Sequence, residues 1–217
     1  MWTYIKWGFR LTILAIVAAF LHYTLPQRDV VRLTGTYNRL TEVGANSIFY
    51  ASPDSGTTTS TVDRRDIRFI EAVFPDGGVM VYRNEDTGWI WPPYFKYDSS
   101  NLQAEATNLV SPKEKPEWVA VTHYGWRMPI FSIYPNAVKV RPVEGPDVRL
   151  IPWVNIVVLS LLALAFLMLW RMWAQFKERM IDPAVDDLNT KLDELDASAD
   201  AARDKARGFW SRLFGRK

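Results

Sequence analysis

Two long apolar runs stand out in the pattern of hydrophobic and polar positions along the chain. Residues 151–170 read IPWVNIVVLSLLALAFLMLW, carry no charge and are followed by Arg171. At a rise of about 1.5 Å per residue, a helix of this length spans a hydrocarbon core about 30 Å thick. Residues 7–25 form a second, less dense apolar run. The pattern predicts an integral membrane protein with two transmembrane helices.

The first run also has features of a signal peptide, because basic residues precede its apolar part. A signal peptide ends in a small-residue cleavage site, but Ala18 and Ala19 lie inside the apolar core and the bulky residues 20–23 follow them. We therefore interpret residues 1–25 as a short N-terminal segment and a first transmembrane helix that is not cleaved.

Between the two runs, hydrophobic positions alternate as they do in β-strands. Residues 67–74 and 79–83 flank the turn sequence Pro-Asp-Gly-Gly, which predicts a hairpin. Ser100 and Gln103 form a capping box that predicts one helix. Further strands are predicted at residues 29–37, 117–124, 128–134 and 137–143, and a loop at residues 52–61. We expect an open sheet or a small barrel carrying one helix.

The segment after the second run has the most regular helical pattern. Apolar residues recur in alternating steps of three and four, the spacing of core positions in a coiled coil. Their stripe consists of Val185, Leu188, Leu192, Leu195, Ala199, Ala202, Ala206, Phe209 and Leu213. Asp182-Pro183 separates this stripe from the membrane run, and the basic, aromatic end suits an amphipathic segment lying on an anionic membrane. The pattern leaves open whether the stripe docks another helix or belongs to a solvated one.

Together these patterns predict an α+β membrane protein. Two transmembrane helices flank a small, mainly-β extracytoplasmic domain with one helix, and an amphipathic C-terminal helix follows. The predicted domains are residues 1–25, 26–150, 151–170 and 171–217. A short basic N-terminus normally stays in the cytoplasm, and a loop longer than about 60 residues is translocated with little regard to charge. We therefore expect a bacterial inner-membrane protein with both termini cytoplasmic and residues 26–150 in the periplasm.

Composition limits the classes of function. The chain carries 26 Lys and Arg against 24 Asp and Glu, so a nucleic-acid partner is not expected. It has no cysteine, which excludes disulfides, thiolate metal sites and cysteine nucleophiles. His22 and His123 are its two histidines, and the motifs of zinc peptidases, α/β-hydrolases and nucleotide-binding loops are absent. We expect no enzymatic activity, metal or cofactor, and interpret His123 as a structural residue of a strand.

The densest aromatic run of the chain surrounds Pro92-Pro93. Its rings could stack on a sugar, a quinone headgroup or a peptide. They could instead form the core of the outer domain or its contact with the membrane interface, and filling cores is the commoner role of such rings. The candidate ligand-binding residues are Trp89, Trp91, Tyr94, Phe95, Tyr97 and Trp126.

Two stretches in this region are distinctive: VYRNEDTGWIWPPYFKYDSSNLQAEATNL at residues 81–109 and WVAVTHYGWRMPIFSIYPNAVKVRPV at residues 118–143. With FLHYTLP at residues 20–26, they resemble a family of bacterial membrane proteins known as domain of unknown function 1523. The resemblance covers roughly three quarters of the chain and is weakest in the tail after Met180. It implies an inner-membrane protein with an external domain, and it supplies no activity, cofactor or catalytic residue.

The first predicted transmembrane helix carries a stripe of small and polar residues, which would let another helix approach closely. Its members are Gly8, Thr12, Ala15, Ala19 and His22. Asn155 lies near the start of the second run, at a depth similar to that of His22. We expect these two side chains to hydrogen-bond across a helical hairpin. The stripe itself could receive the second helix or a foreign membrane subunit.

Every distinctive pattern in the sequence is an interaction surface. The favoured function is therefore a non-catalytic inner-membrane accessory or assembly subunit, whose partners are the lipid bilayer and either further copies of itself or a larger membrane complex. The alternative is a membrane-anchored periplasmic ligand-binding or sensory module that uses the aromatic patch from Trp89 to Tyr97.

Overall fold

The computed structural model describes residues 1–42, 64–88 and 91–215, with the backbone alone at residues 42, 64, 65, 201, 202, 204 and 206–214. In chain order its elements are α1 (Trp2–Thr24), β1 (Gln27–Glu42), β2 (Arg64–Val73), β3 (Val79–Asn84), α2 (Ser99–Asn108), β4 (Trp118–Tyr124), β5 (Asn136–Pro142), α3 (Trp153–Phe176) and α4 (Asp182–Phe214). A 3₁₀ turn at Pro129–Phe131 follows β4, and a π-helical segment at Lys177–Ile181 joins α3 to α4. The predicted loop at residues 52–61 lies outside the described residues.

The strands close into a barrel in the order β1-β2-β3-β5-β4. Neighbouring strands are antiparallel except β3 and β5, which are parallel. The long strand β1 pairs with β4 through its first part and with β2 through the rest, and a bulge between Leu33 and Gly35 bends it at the change. With α2 inserted between β3 and β4, this is the arrangement of an OB fold. Of the two arrangements expected from the sequence, the structure has the barrel.

Buried apolar residues at every second position of β1 and β4 form the barrel core. Val31 and Leu33 of β1 and Val119 and Val121 of β4 are fully buried, and Leu102 of α2 packs onto the same cluster. Burying a side chain of this size contributes roughly 1.5–3 kcal/mol. The barrel therefore has a hydrophobic core of its own, independent of the two apolar helices.

The predicted hairpin is confirmed, since β2 and β3 pair from Val73 with Val79 to Arg68 with Asn84. The predicted strand at residues 128–134 is wrong. Pro129 has no N–H to donate to a ladder, and the segment forms the 3₁₀ turn with one isolated bridge between Met128 and Ile133.

The predicted N-cap of α2 is also wrong. Asp98 caps the helix by accepting a hydrogen bond from the Asn101 backbone N–H at 2.9 Å, so Ser100 lies inside the first turn. An aspartate is favoured there because its charge also faces the positive end of the helix dipole. Gln103, the second residue of the predicted capping box, instead donates to the Phe69 carbonyl at 3.2 Å and fixes α2 on the barrel.

The chain divides into two compact units, Met1–Ile156 and Val157–Lys217. The helix α1 in the first unit and the helix that begins with α3 are each long and apolar enough to cross a membrane, and neither apolar segment is buried in the described structure. The protein is thus an α+β chain in which apolar helices flank a five-stranded barrel with one short helix.

In the second unit, Asp182-Pro183 does not end the helix as the sequence suggests. Pro183 lacks the N–H that an α-helix needs at that position, and the Asp182 N–H bonds to Lys177, five residues back. This π-type turn absorbs the proline, and α4 continues from it to Phe214. The tail stripe is exposed at Val185, Leu188, Leu192 and Leu195, while the side chains of Phe209 and Leu213 lie outside the described part.

Candidate functional site

Several hydrogen bonds hold the junction between α1 and the barrel. Only Leu25 and Pro26 separate the last turn of α1 from β1. The Gly125 N–H donates to the Tyr23 carbonyl at 2.9 Å, and the Tyr94 hydroxyl donates to the Thr24 carbonyl at 2.5 Å. These bonds use carbonyls at the end of α1, so the helix end is held by the loops of the barrel.

Aromatic rings surround this junction. Trp91 stacks on Phe20 of α1 with ring centres 5.5 Å apart, and Tyr94 stacks on Tyr124 at 4.8 Å. Trp126 meets the edge of the Tyr23 ring at 5.2 Å. Three members of the predicted aromatic patch, Trp91, Tyr94 and Trp126, therefore connect the barrel to α1.

The structure does not bring all the predicted aromatic residues together. Tyr94 and Trp126 lie in the junction, and Trp91 covers one side of it while remaining 60% exposed. Phe95 and Tyr97 are exposed by 51% and 58% on the surface. Trp89 lies outside the described residues.

Beside the junction lies a cavity of about 420 Å³, which the aromatic pattern does not predict. It is partly open to solvent and is bordered by the end of α1, the start of β1, the end of β4, the β2–β3 turn and the loop after β4. Its polar lining is His22, Gln27, Asp29, His123 and Arg127. Both histidines of the chain thus face one space, although 101 positions separate them in sequence.

Asp29 organises the inner wall of this cavity. Its Oδ2 accepts a hydrogen bond of 2.6 Å from the Tyr82 hydroxyl and lies 2.9 Å from His123 Nε2. His123 is 4% exposed, and its Nδ1 has no hydrogen-bond partner among the described residues. An unsatisfied buried polar atom costs about 1–3 kcal/mol. This nitrogen is itself buried, so His123 contributes to the cavity wall through its contact with Asp29.

The electrostatics of this group follow from its contacts. Burial alone would raise the pKa of Asp29, but the hydrogen bond and charge of His123 and the hydrogen bond of Tyr82 outweigh it and hold the pKa below its ordinary value. Burial, followed by the neighbouring Asp29 carboxylate, raises the pKa of Tyr82 far above its ordinary value. At neutral pH the site therefore holds a carboxylate and a neutral phenol.

A second buried polar group lies where β3 meets β5. Lys96 is 8% exposed, and its Nζ donates to Asn84 Oδ1 at 2.5 Å and to the Ala137 carbonyl at 2.8 Å. Burial lowers its pKa to about 7, against the opposing attraction of Asp86 and Glu85. This lysine was not singled out by the sequence, because nothing in its local pattern marks it as buried.

The predicted hydrogen bond between His22 and Asn155 does not form. His22 Nδ1 accepts from Trp126 Nε1 at 2.9 Å, and Asn155 Nδ2 donates to the Pro26 carbonyl at 3.0 Å. His22 thus connects the end of α1 to the loop after β4, and Asn155 connects the start of α3 to the residue before β1. Along α1, the rest of the small-residue stripe is exposed, and a Cβ placed on Gly8 would meet no atom within 4 Å.

The cavity presents polar groups beside apolar side chains. Among the described residues, no cluster of three His, Asp or Glu side chains is placed to hold a metal ion. The one hydroxyl bonded within the Asp29 group belongs to Tyr82 and is used as a donor to the carboxylate. What the lining supplies is a set of hydrogen-bond donors and acceptors beside apolar surface from Phe74 and Met80.

The sequence contains a signal for this site. Asp29, Val31 and Leu33 alternate along β1, and the two apolar members point into the core. By the same period Asp29 points inward, and an inward carboxylate needs a partner. Val119, Val121 and His123 alternate on β4 in the same way, but their pairing with β1 is visible only in the fold.

Comparisons with known proteins agree with the sequence resemblance. A family model described as a protein of unknown function, DUF1523, matches residues 3–177. A Haemophilus influenzae protein described as uncharacterized is 38% identical over 148 residues, which make up 67% of this chain and 79% of the relative. No solved structure matches the chain. The family match includes α1, the barrel and α3 and stops before α4.

Proposed function

The chain belongs to the DUF1523 family of proteins of unknown function, and we propose that it is a non-catalytic accessory or assembly subunit of a bacterial inner membrane. In this proposal, α1 and α3 are transmembrane anchors, residues 26–150 are periplasmic and both termini are cytoplasmic. The barrel acts by holding a fixed surface against the membrane, where partner proteins meet it.

The observation that carries this proposal is the bonded junction between α1 and the barrel. A flexible tether would need no such contacts, whereas here the Tyr23 and Thr24 carbonyls and the Phe20 ring are all held by barrel loops. If α1 spans the bilayer, the barrel has one orientation relative to the membrane surface. A fixed orientation suits a protein that presents a surface to partners.

The exposed stripe on α1 supports a partner within the membrane. Its small residues allow close helix packing, which is a main source of association in lipid. On the other side of the membrane the exposed apolar residues of α4 supply a second surface. Both surfaces lie on helices, and their side chains are exposed where the structure describes them.

The test is affinity purification from native membranes in a mild detergent, with mass spectrometry of the co-eluting proteins. We expect a stoichiometric membrane protein partner. Replacing Ala15, which lies in the stripe, with leucine is expected to reduce its recovery by about tenfold, the effect of about 1.4 kcal/mol. Ala18→Leu is the matched control, because Ala18 lies outside the stripe on the same exposed helix. Purification of the chain without a membrane partner would contradict the accessory role.

A second candidate function is a membrane-anchored ligand-binding module. The observation that favours it is the cavity, whose lining combines polar and apolar side chains. This candidate differs from the sequence expectation, which placed the ligand on the aromatic patch. A small molecule that is retained through purification would support it.

A further inference from the structure

We propose that the cavity beside the end of α1 binds a polyhydroxyl group, either the sugar or glycerol head of a membrane lipid or a free saccharide. If the ligand is a lipid, the proposal rests on the proposed membrane anchoring. If it is a free saccharide, it does not. The argument for the chemistry rests on the lining of the cavity.

The size of the cavity suits a small organic ligand. Its volume of about 420 Å³ falls within the range of roughly 300–1,000 Å³ that is typical of ligand pockets. At about 30 Å³ each, more than ten water molecules would be needed to fill it. The space therefore exceeds what one or two structural waters require.

The polar lining matches hydroxyl groups. Asp29 can only accept hydrogen bonds and the Arg127 guanidinium can only donate them, whereas Gln27 and His22 can do both. A hydroxyl group also donates and accepts, so a polyol can satisfy both kinds of partner. A phosphodiester only accepts, and the ionised Asp29 carboxylate would repel any phosphate. The lining therefore favours an uncharged hydroxylated group over an anion.

The donors and acceptors retain capacity for a ligand. Asp29 uses one oxygen for Tyr82 and His123, and a carboxylate has about four acceptor positions. Arg127 donates through one nitrogen to the Ile133 carbonyl, and a guanidinium has about five N–H donors.

Apolar residues complete the site. Phe74, Met80 and Met128 line the cavity beside the polar group, and the indole of Trp126 adds a flat face. A sugar ring has polar edges and apolar C–H faces, so it needs this combination of surfaces. His22 lies two residues before the end of α1, which places the cavity next to the predicted membrane interface.

The experiment uses the full chain in nanodiscs of phosphatidylcholine, with or without a minor fraction of monoglucosyl diacylglycerol. Native mass spectrometry counts the glycolipid that the released protein retains. In a second arm, equilibrium dialysis measures binding of radiolabelled methyl glucoside to the chain in phosphatidylcholine alone. Insertion into nanodiscs is scored first, so failure of membrane anchoring is separated from failure of the cavity.

Two variants and one control locate the binding. Asp29→Asn removes the carboxylate, and Met128→Trp fills the cavity without changing its buried polar group. Asp66→Asn makes the same chemical change at an exposed position of β2. We expect binding to fall by at least about tenfold in the first two variants, because Asp29→Asn loses about one good hydrogen bond and Met128→Trp removes the space. Binding should be unchanged in the control.

Retention of the glycolipid with this variant pattern supports the site and a lipid source. Binding of methyl glucoside with the same pattern supports the site and a free saccharide. The proposal is overturned if neither probe binds, or if Met128→Trp binds as the unchanged chain does.

Discussion

Replacing Asn136 with alanine is expected to destabilise the barrel by about 3–4 kcal/mol. Asn136 is fully buried, accepts from the Glu85 N–H at 2.9 Å and donates to the Glu85 carbonyl and the Tyr124 hydroxyl, both at 3.1 Å. Three buried hydrogen bonds contribute about 1 kcal/mol each, and the groups left behind add a desolvation cost. Urea denaturation of the detergent-solubilised chain, followed by tryptophan fluorescence, measures the change.

This effect is large because of where Asn136 lies. Asn136 is the first residue of β5. It pairs with Arg83 of β3, and this parallel pairing closes the barrel. Asn38→Ala is the control, since Asn38 is exposed on β1 and its replacement should stay within about 0.5 kcal/mol. Equal stability of the two variants would show that closure does not depend on this side chain.

The stability of the barrel is expected to rise by about 2 kcal/mol between pH 7 and pH 9, through Lys96. Burial lowers the pKa of Lys96 from 10.5 to about 7, so above pH 7 the folded chain binds fewer protons at this site than the unfolded chain. Stability rises with pH wherever the unfolded state binds more protons, by up to about 1.4 kcal/mol per pH unit. Urea denaturation at a series of pH values measures the slope.

The Lys96→Met variant separates this slope from other titrations. It removes the buried amine, so the increase between pH 7 and pH 9 should disappear, although the variant also loses the bonds to Asn84 and Ala137. Lys139→Met, at an exposed position of β5, should retain the increase. A slope that persists in Lys96→Met would assign the pH dependence to another group.

The elements that local patterns specify were predicted well. The uncharged run at residues 151–170 lies largely within α3, and the Pro-Asp-Gly-Gly turn joins β2 to β3. The prediction failed at residues 128–134 because apolar content was interpreted as a strand, whereas Ile130 is 90% exposed in a turn. Proline at position 129 was the local signal against a strand.

The site was harder to predict, because its residues meet only through the fold. Closure of the barrel depends on one parallel contact between residues 83 and 136, which no local pattern specifies. The Asp29–His123 contact needs the β1–β4 register, and the place of His22 needs the position of α1. The alternation of Asp29 with Val31 and Leu33 was the part of this site that could be read in advance.

The most direct test of the central claim is the side of the membrane on which each part of the chain lies. The chain has no cysteine, so a single introduced cysteine can be labelled without background. Val79, 80% exposed at the start of β3, and Ser198, exposed on α4, are the two positions. A membrane-impermeant maleimide is applied to spheroplasts before and after permeabilisation. We predict that Val79→Cys reacts in intact spheroplasts and Ser198→Cys only after permeabilisation. Reaction of Ser198→Cys in intact spheroplasts, or protection of Val79→Cys, would contradict a barrel held on the outer surface of the inner membrane.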